Sequence, residues 1–540
     1  MALVIMLVIL VTGIAAVMAG SLNRVAINNA RQEHTSLVLA QAKEALIGYA
    51  VTYGDTHPGE AHGYLPCPDM NGDAGGNPEG SSETCGGTDK NTMGRLPWRT
   101  LQLPTLRDSE GECLWYAVSG SYKNNPKSSV PMNWDNTGKL KLHAAEGGEI
   151  SPDEIVAVII APGRALPDHI PSQDRHGTAA PVCGGNYTPA AYLDHDTVHA
   201  LNNADISAGS FILPHEHRDA HGSVIAAVND SFAYITRQEI WEAIQKRIVG
   251  EAKKCLDDYA AGSGGRYPWA VPLTRPTAYT PFILGEYAAR FGRLPARPGV
   301  QMESSPAAIT ELQSGFAALW TALANFSRAK TAANLALMKS QATIAKTAAE
   351  KLANDYAGEP LHLPAGRLKE AASSATMSLV TSSSNAAIVA VQQSLAAAVQ
   401  DFVEALPEQF AQASGMAQAW PASCELFSSV HWEHWKEHMF FHVAEGYEPG
   451  SAASCTACLS LEVDGHMLSG SGAFRAAIIA SGKGSGTDRI ASEPGSYLEA
   501  DNLLPMSDAG KPYKTYRTSE ANYRSINDVV RCLDGGEHCP

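Results

Sequence analysis

At 540 residues the chain has room for about three domains, and its 44% apolar content is ample for their cores. A net charge of −16, from 56 acidic and 40 basic side chains, argues against a phosphate-binding surface, so no nucleic-acid partner is indicated. No G-x-S-x-G elbow, Walker-type phosphate loop or dinucleotide fingerprint occurs, and nothing selects a triad, so an enzyme is not expected.

The first element is the most informative. Met1 to Leu22 contains no charged residue, no His, Asn or Gln, and no proline, and about 20 such residues suffice to cross a bilayer as one helix. From Asn23 to Ile47 there is no Gly or Pro, while Val25, Ala26, Ala30, Leu37, Ala40 and Leu46 recur at roughly helical spacing. One rod is expected over residues 1–50, roughly 75 Å long at 1.5 Å per residue. No Lys or Arg precedes the apolar run, and Arg24 is the first charge, which is unlike a secretory signal. A plain single-pass anchor for an exported domain is one reading.

The other reading is a filament subunit. The run Met1-Ala2-Leu3-Val4-Ile5-Met6-Leu7-Val8-Ile9-Leu10, followed by Thr12 and Gly13, resembles the N-terminus of mature type IV pilins and type II secretion pseudopilins, whose short basic leader is removed. The resemblance implies an inner-membrane stage, a prepilin peptidase, inner-membrane assembly machinery, and then an extracellular filament made of copies of itself or other pilins. It implies packing roles for Leu3, Val4, Ile5, Leu7, Val8, Leu10, Val11, Ile14 and Val17, with Gly13 and Gly20 allowing local bending or unwinding. Most members carry a glutamate at the fifth mature position. Here, with Met1 first, that position is Ile5, and the first acidic residue is Glu33. Minor, tip-located subunits include members lacking this glutamate. The K-type minor pseudopilin of type II secretion is similar in that respect and in carrying a helical insertion in its head.

Ten cysteines, an even count, read as disulfides in an exported chain. Cys67/Cys85, Cys455/Cys458 and Cys532/Cys539 close short loops and are the favoured local pairs. In the first head, Asp69, Asn71 and Asp73 alternate in a glycine-rich loop and match the first half of an EF-hand-type calcium loop. Its twelfth position is Gly80 rather than an acid, and a solvated Asx-rich turn is the competing reading. Calcium is the cofactor that this loop would hold. Further on, His215-Glu216-His217, with Asp219 and His221, offers transition-metal donors without the H-E-x-x-H order, in a pattern that suits an exposed loop or strand.

Six matches in the same order suggest an internal duplication. Residues 42–50 are echoed by 252–260, Gly63-Tyr64-Leu65-Pro66-Cys67 by Gly265-Arg266-Tyr267-Pro268-Trp269, and Gly94-Arg95-Leu96-Pro97 by Gly292-Arg293-Leu294-Pro295. Leu114 to Val118 resembles Met439 to Val443, the apolar strand 156–161 resembles 476–480, and Tyr192-Leu193-Asp194 resembles Tyr497-Leu498-Glu499. The offset jumps after the third match, which locates an insertion between about 300 and 420. There, residues 306–356 and 367–414 are rich in Ala, Ser, Leu and Lys, with Gly358, Pro360, Pro364 and Gly366 between them, so a long soluble helical hairpin is expected. His431, His434, His438 and His442 recur at three- and four-residue steps and would share one face of a packed helix. Cys455-Thr456-Ala457-Cys458 is a lone C-x-x-C, better suited to a disulfide than to zinc.

The expected fold class is α+β: a long pilin-like helix and two helix-on-antiparallel-sheet heads, the second interrupted by the hairpin. The expected domains are 1–50 (rod), 51–240 (first head), 241–300 with 421–540 (second head) and 301–420 (insertion). A membrane-anchored periplasmic adhesion or binding module is the alternative from a different class.

Overall fold

The rod is one unbroken helix, α1, spanning Ala2–Thr56 in the computed structural model. The structure describes residues 2–72, 76–150, 155–166, 172–175, 182–184, 186–218, 220–222, 224–271, 273, 290–296, 307–355, 366–374, 386–387, 389–391, 393–398, 420–449, 451–455, 458–484, 489–490, 493–499, 502, 515–519 and 527–534. Side chains of residues 2–25, 226, 307–310, 313, 327 and 352–355 lie outside that description. Helix and sheet are mixed, as an α+β class requires, and the chain divides into Met1–Ile244 and Gln245–Pro540.

In the first unit the strands are β1 (Thr92–Arg95), β2 (Trp115–Val118), β3 (Lys141–His143), β4 (Ile155–Ala161), β5 (His195–Asp196), β6 (Leu201–Asn202), β7 (Ser210–Ile212), β8 (His215–Arg218), β9 (Val224–Val228) and β10 (Ser231–Thr236). The main sheet has the order β1-β2-β4-β10 and is antiparallel throughout. Every residue of β4 is buried, because α1 packs on β4 and β10 while Trp115, Val158, Ile160, Tyr192 and Phe211 join a second apolar cluster. Continuous apolar runs are what a strand covered on both faces needs.

Thr35, Leu39, Ala42, Leu46, Ala50 and Tyr53 form the buried stripe of α1, stepping by three and four residues. This differs from the expected apolar series. Leu46 is buried, but Ala26, Ala30, Leu37 and Ala40 are exposed. At 3.6 residues per turn, the nine residues from Leu37 to Leu46 amount to about two and a half turns, so Leu37 points away from the sheet.

The second unit contains most of α2 (Arg237–Gly262), which begins with a reciprocal capping box. Glu239 Oε2 accepts from the Thr236 amide at 2.9 Å, and the Glu239 amide donates to Thr236 Oγ1 at 3.2 Å. Its strands are β11 (Phe291–Arg293), β12 (Met439–Val443), β13 (Ser460–Val463), β14 (His466–Met467), β15 (Ala476–Ala480), β16 (Thr515–Thr518) and β17 (Val529–Leu533). The main sheet, β11-β12-β15-β17, is antiparallel. Gln245 Nε2 of α2 donates to the Ala480 carbonyl of β15 at 2.9 Å. Beside the sheet, β13 pairs in parallel with β16, as β3 does with β7 in the first unit.

Between β11 and β12 most described residues are helical, and the expected break at Gly358, Pro360 and Pro364 lies outside the described residues. α3 (Ala307–Arg328) and α4 (Ala332–Asp355) pack on each other, so the first of the two expected helical stretches is itself a pair of helices. The turn contains neither Gly nor Pro. Thr331 Oγ1 instead accepts from the Asn334 amide at 3.2 Å, and Asn334 Nδ2 donates to the Ala329 carbonyl at 2.8 Å, so both helix ends are capped by side chains. The histidine series is corrected too. Only His431 and His434 lie on a helix, α5 (Val430–Trp435), while His438 and His442 lie before and on β12. His438 Nδ1 meets Ser481 Oγ at 3.0 Å and His442 Nδ1 meets Tyr516 Oη at 2.7 Å. Pairing of the apolar Met439–Val443 segment with β11 and β15 overrides the helical histidine spacing.

Candidate functional site

Three places carry the expected functional residues. On the rod, Leu3, Val4, Ile5, Leu7, Val8, Leu10, Val11, Ile14 and Val17 fall on the helical backbone of α1, as do Gly13 and Gly20, and their side chains lie outside the description. Among the described residues, no helix is long and apolar enough to cross a membrane. Residues 26–34, where side-chain description begins, are exposed all round, with Ile27 at 53%.

At the expected calcium loop, Asp69 is buried and its carboxylate is committed to backbone amides. Oδ1 accepts from Asn71 and Gly72 at 3.3 and 2.8 Å, and Oδ2 accepts from Gly80 at 2.7 Å and from the Tyr187 hydroxyl at 3.2 Å. That is the bonding of an Asx turn. Asn71 is exposed beside it, and Asp73 lies outside the described residues.

Of the favoured disulfides, Cys67–Cys85 and Cys455–Cys458 are formed. Cys532 is disulfide-bonded, and Cys539 lies outside the described residues. Two long-range pairs, Cys113–Cys183 and Cys255–Cys424, have no sequence signal beyond the even count.

The third place is a cluster of imidazoles at the edge of the first unit. The β5–β6 turn is fixed from below by a buried polar clasp. Asp230 Oδ2 accepts from the Asp194 amide at 2.8 Å and from Asn203 Nδ2 at 2.9 Å, and Asn203 Oδ1 accepts from the Ile212 amide at 2.8 Å. This places Asp196 and His199 against the β8–β9 hairpin. His215 and His217 are alternate residues of β8 and face the same way. Glu216, between them, is exposed and pairs with Arg218 at 2.5 Å.

Asp196 is fully buried. Its Oδ1 accepts from the Val198 amide at 2.9 Å, and its Oδ2 stands 2.6 Å from His199 Nδ1, 3.4 Å from His215 Nε2 and 3.8 Å from His217 Nε2. Burial pushes this carboxyl up, but the hydrogen bonds from His199 and the Val198 amide, with His215 nearby, outweigh it and leave the group below the usual carboxylate range. His215 Nδ1 lies 2.7 Å from the Leu213 carbonyl, which fixes it as the protonated nitrogen and leaves a lone pair on Nε2. Gly147, at φ +77°, makes room for His199, since a Cβ there would come within 2.4 Å of the ring.

The metal donors that the sequence offers are His215, Glu216, His217, Asp219 and His221. The structure keeps the two alternate histidines. It leaves Glu216 and His221 exposed outside the cluster, places Asp219 outside the described residues, and adds Asp196 and His199. The available signal was His195-Asp196-Thr197-Val198-His199, a second short His/Asp motif upstream. Comparison with known proteins finds no matching family model, no similar curated protein and no similar solved structure.

Proposed function

We propose that this chain is a structural subunit of a type IV pilus-like extracellular filament, assembled through its hydrophobic N-terminal helix and carrying large surface-exposed heads. The observation that carries the reading is α1, 55 residues in one helix and so about 83 Å long. Its first 22 residues are uncharged, and the buried stripe that docks it onto a sheet begins only at Thr35. A helix that needed only to tether a head would require no exposed stretch between membrane and sheet. In a filament that stretch, including exposed Ile27, and the exposed face at Leu37 meet the rods of neighbouring subunits. The driving force is burial at roughly 25 cal/mol per Å² of apolar surface, repeated at every subunit through a heterologous, non-closing contact.

The proposal includes a head used twice. It is supported by the shared strand order of the two main sheets, and by two buried arginines. Arg95 stacks between Trp115 and Tyr192 at 4.3 and 4.1 Å, and Arg293 between Phe440 and Tyr497 at 4.2 and 4.3 Å. It is also supported by a polar clasp in each unit. Asp528 Oδ2 accepts from the Glu499 amide and from Asn502 Nδ2, both at 3.0 Å, as Asp230 Oδ2 accepts from Asp194 and Asn203. One specific observation favours a second reading, a minor tip-capping subunit: the helices α3 and α4 lie within the connection from β11 to β12.

Electron microscopy of material sheared from cells tests the class. A fibre whose helical core is residues 1–50 is the expected result. Replacing Val8 and Val11 by Asp should abolish polymer as well as membrane retention. A chain that stays detergent-bound and is never found in a fibre, or at a fibre's end, would overturn the reading in favour of a tethered adhesion module.

A further inference from the structure

We infer that Asp196, His199, His215 and His217 form a structural binding site for a zinc-class divalent metal ion, clasping the β5–β6 turn to the β8–β9 hairpin. The inference is independent of the filament reading. It stands on donor chemistry, convergence and an orphaned group. The donors are three imidazole nitrogens and one carboxylate oxygen, the set that borderline ions such as Zn²⁺ and Co²⁺ prefer and that Ca²⁺ and Mg²⁺ do not. All four donor atoms lie within 4.8 Å of one another. Tetrahedral zinc with bonds of about 2.0 Å sets its donors about 3.3 Å apart. The His215 and His217 separations from Asp196 Oδ2, 3.4 and 3.8 Å, are already near that edge length.

The orphaned group is His215. Its side chain is 5% exposed, and its Nε2 is buried without a hydrogen-bond partner although it faces Asp196. The Nε2 of His217 is buried and unpartnered in the same way. Two buried, unpartnered imidazole nitrogens facing one carboxylate cost free energy, at about 1–3 kcal/mol for each unsatisfied group, and a cation held by both and by the carboxylate removes that cost. The bond from His215 Nδ1 to the Leu213 carbonyl is the outer contact that orients a metal-binding imidazole.

An ion taking His199 Nδ1 and Asp196 Oδ2 replaces the proton they share, which leaves to solvent. Four protein donors close the coordination sphere, so the site is structural, with no position kept for water or substrate. Its effect is to fix two short elements, a two-strand turn and a two-strand hairpin, neither of which belongs to the main sheet.

The test uses the full chain in detergent, stripped of metal and titrated with Zn²⁺ against a competing chelator, with Co²⁺ absorption reporting geometry. One equivalent should bind with submicromolar affinity, Co²⁺ should give the intense visible bands of tetrahedral coordination, and zinc should slow hydrogen exchange in peptides covering 195–217. His215→Ala should weaken binding at least 100-fold, and His221→Ala should leave it unchanged. Should His215→Ala not fold, His217→Gln, at a position 26% exposed, carries the test with the same expected loss. Weak, non-stoichiometric uptake overturns the inference, and so does tight binding that survives both the His215 and His217 substitutions.

Discussion

Replacing Leu46 by Ala tests whether the second half of α1 is part of the core of the first unit. Leu46 is fully buried, midway along a stripe that runs from Thr35 to Tyr53 and packs on β4 and β10. Leu→Ala at such a site costs about 2–5 kcal/mol, the lost transfer energy plus the cavity left behind. A mid-range loss of about 3 kcal/mol corresponds to roughly a 100-fold change in an opening equilibrium. Hydrogen exchange read by mass spectrometry on peptides spanning β4 reports that opening directly, because β4 is buried on both faces. The expected result is about 100-fold faster exchange in Leu46→Ala. Leu37→Ala is the matched control. Leu37 is 63% exposed on the far side of the same helix, so its truncation should change stability by no more than about 0.5 kcal/mol. If Leu46→Ala leaves β4 exchange unaltered, or Leu37→Ala accelerates it equally, the assignment of the docking face is refuted.

Two further outcomes follow from buried groups. Burial pushes the Asp528 carboxyl well above its ordinary range, and the Glu499 carboxylate beside it adds to the rise. The folded chain then keeps a proton that the unfolded chain releases, so this group's contribution to stability is present in acid and is lost as pH rises through the folded-state value. Asp528→Asn, neutral at every pH, should gain stability relative to the parent between about pH 4 and pH 8 in urea titrations, and parallel curves would count against the protonated assignment. Removing the Cys113–Cys183 bridge by paired Ala substitutions opens a loop with a sequence separation of 70 and should cost about 4 kcal/mol, measured by denaturant melts of the full chain. A loss below about 1 kcal/mol would mean that the reduced unfolded chain is already constrained there.

The α+β class and the helices at residues 1–50 and 238–262 were legible, because apolar runs and breaker-free stretches are local signals. The buried face of α1 was less so. Leu37 and Ala40 look as suitable as Leu39 and Ala42, and only the sheet decides between them. Spacing misled at His431–His442, where a three- and four-residue rhythm coincided with a strand whose apolar residues pair on both sides. The α3–α4 reversal was hidden because Thr331 and Asn334 cap helix ends without Gly or Pro. The histidine cluster was half visible. His215 and His217 share a strand, but Asp196 and His199 reach them only after the Asp230–Asn203 clasp has folded the intervening chain back. Long-range convergence of that kind leaves no periodicity in one sequence.

The long connection from β11 to β12 poses a physical question, because the two strands it joins are neighbours in one sheet. In the first unit β1 leads to β2 through residues 96–114, whereas in the second unit β11 reaches β12 through residues 294–438. Closing a flexible connection nearly eightfold longer costs only about 1.8 kcal/mol more, and two contacts reduce even that. Trp420 Nε1 donates to the Ala296 carbonyl at 2.8 Å, and Cys424 is bonded to Cys255 on α2. The chain therefore leaves the sheet and returns to it at neighbouring points. Between those points α3 and α4 supply their own packing. Gly315 sits so close to α4 that a Cβ there would stand 3.2 Å from the Ala345 Cα. A connection built this way asks of the sheet only that its two anchor points stay adjacent. Replacing residues 297–419 with a Gly/Ser linker of about eight residues should leave the Cys255–Cys424 bridge formed and the stability of the second unit within about 1 kcal/mol of the parent. Peptide mapping of the disulfide and calorimetry of the full chain measure both. A missing bridge, or a loss above about 4 kcal/mol, would mean that the helices hold the sheet together, because a self-contained pair can be removed at no more than the cost of closing the loop.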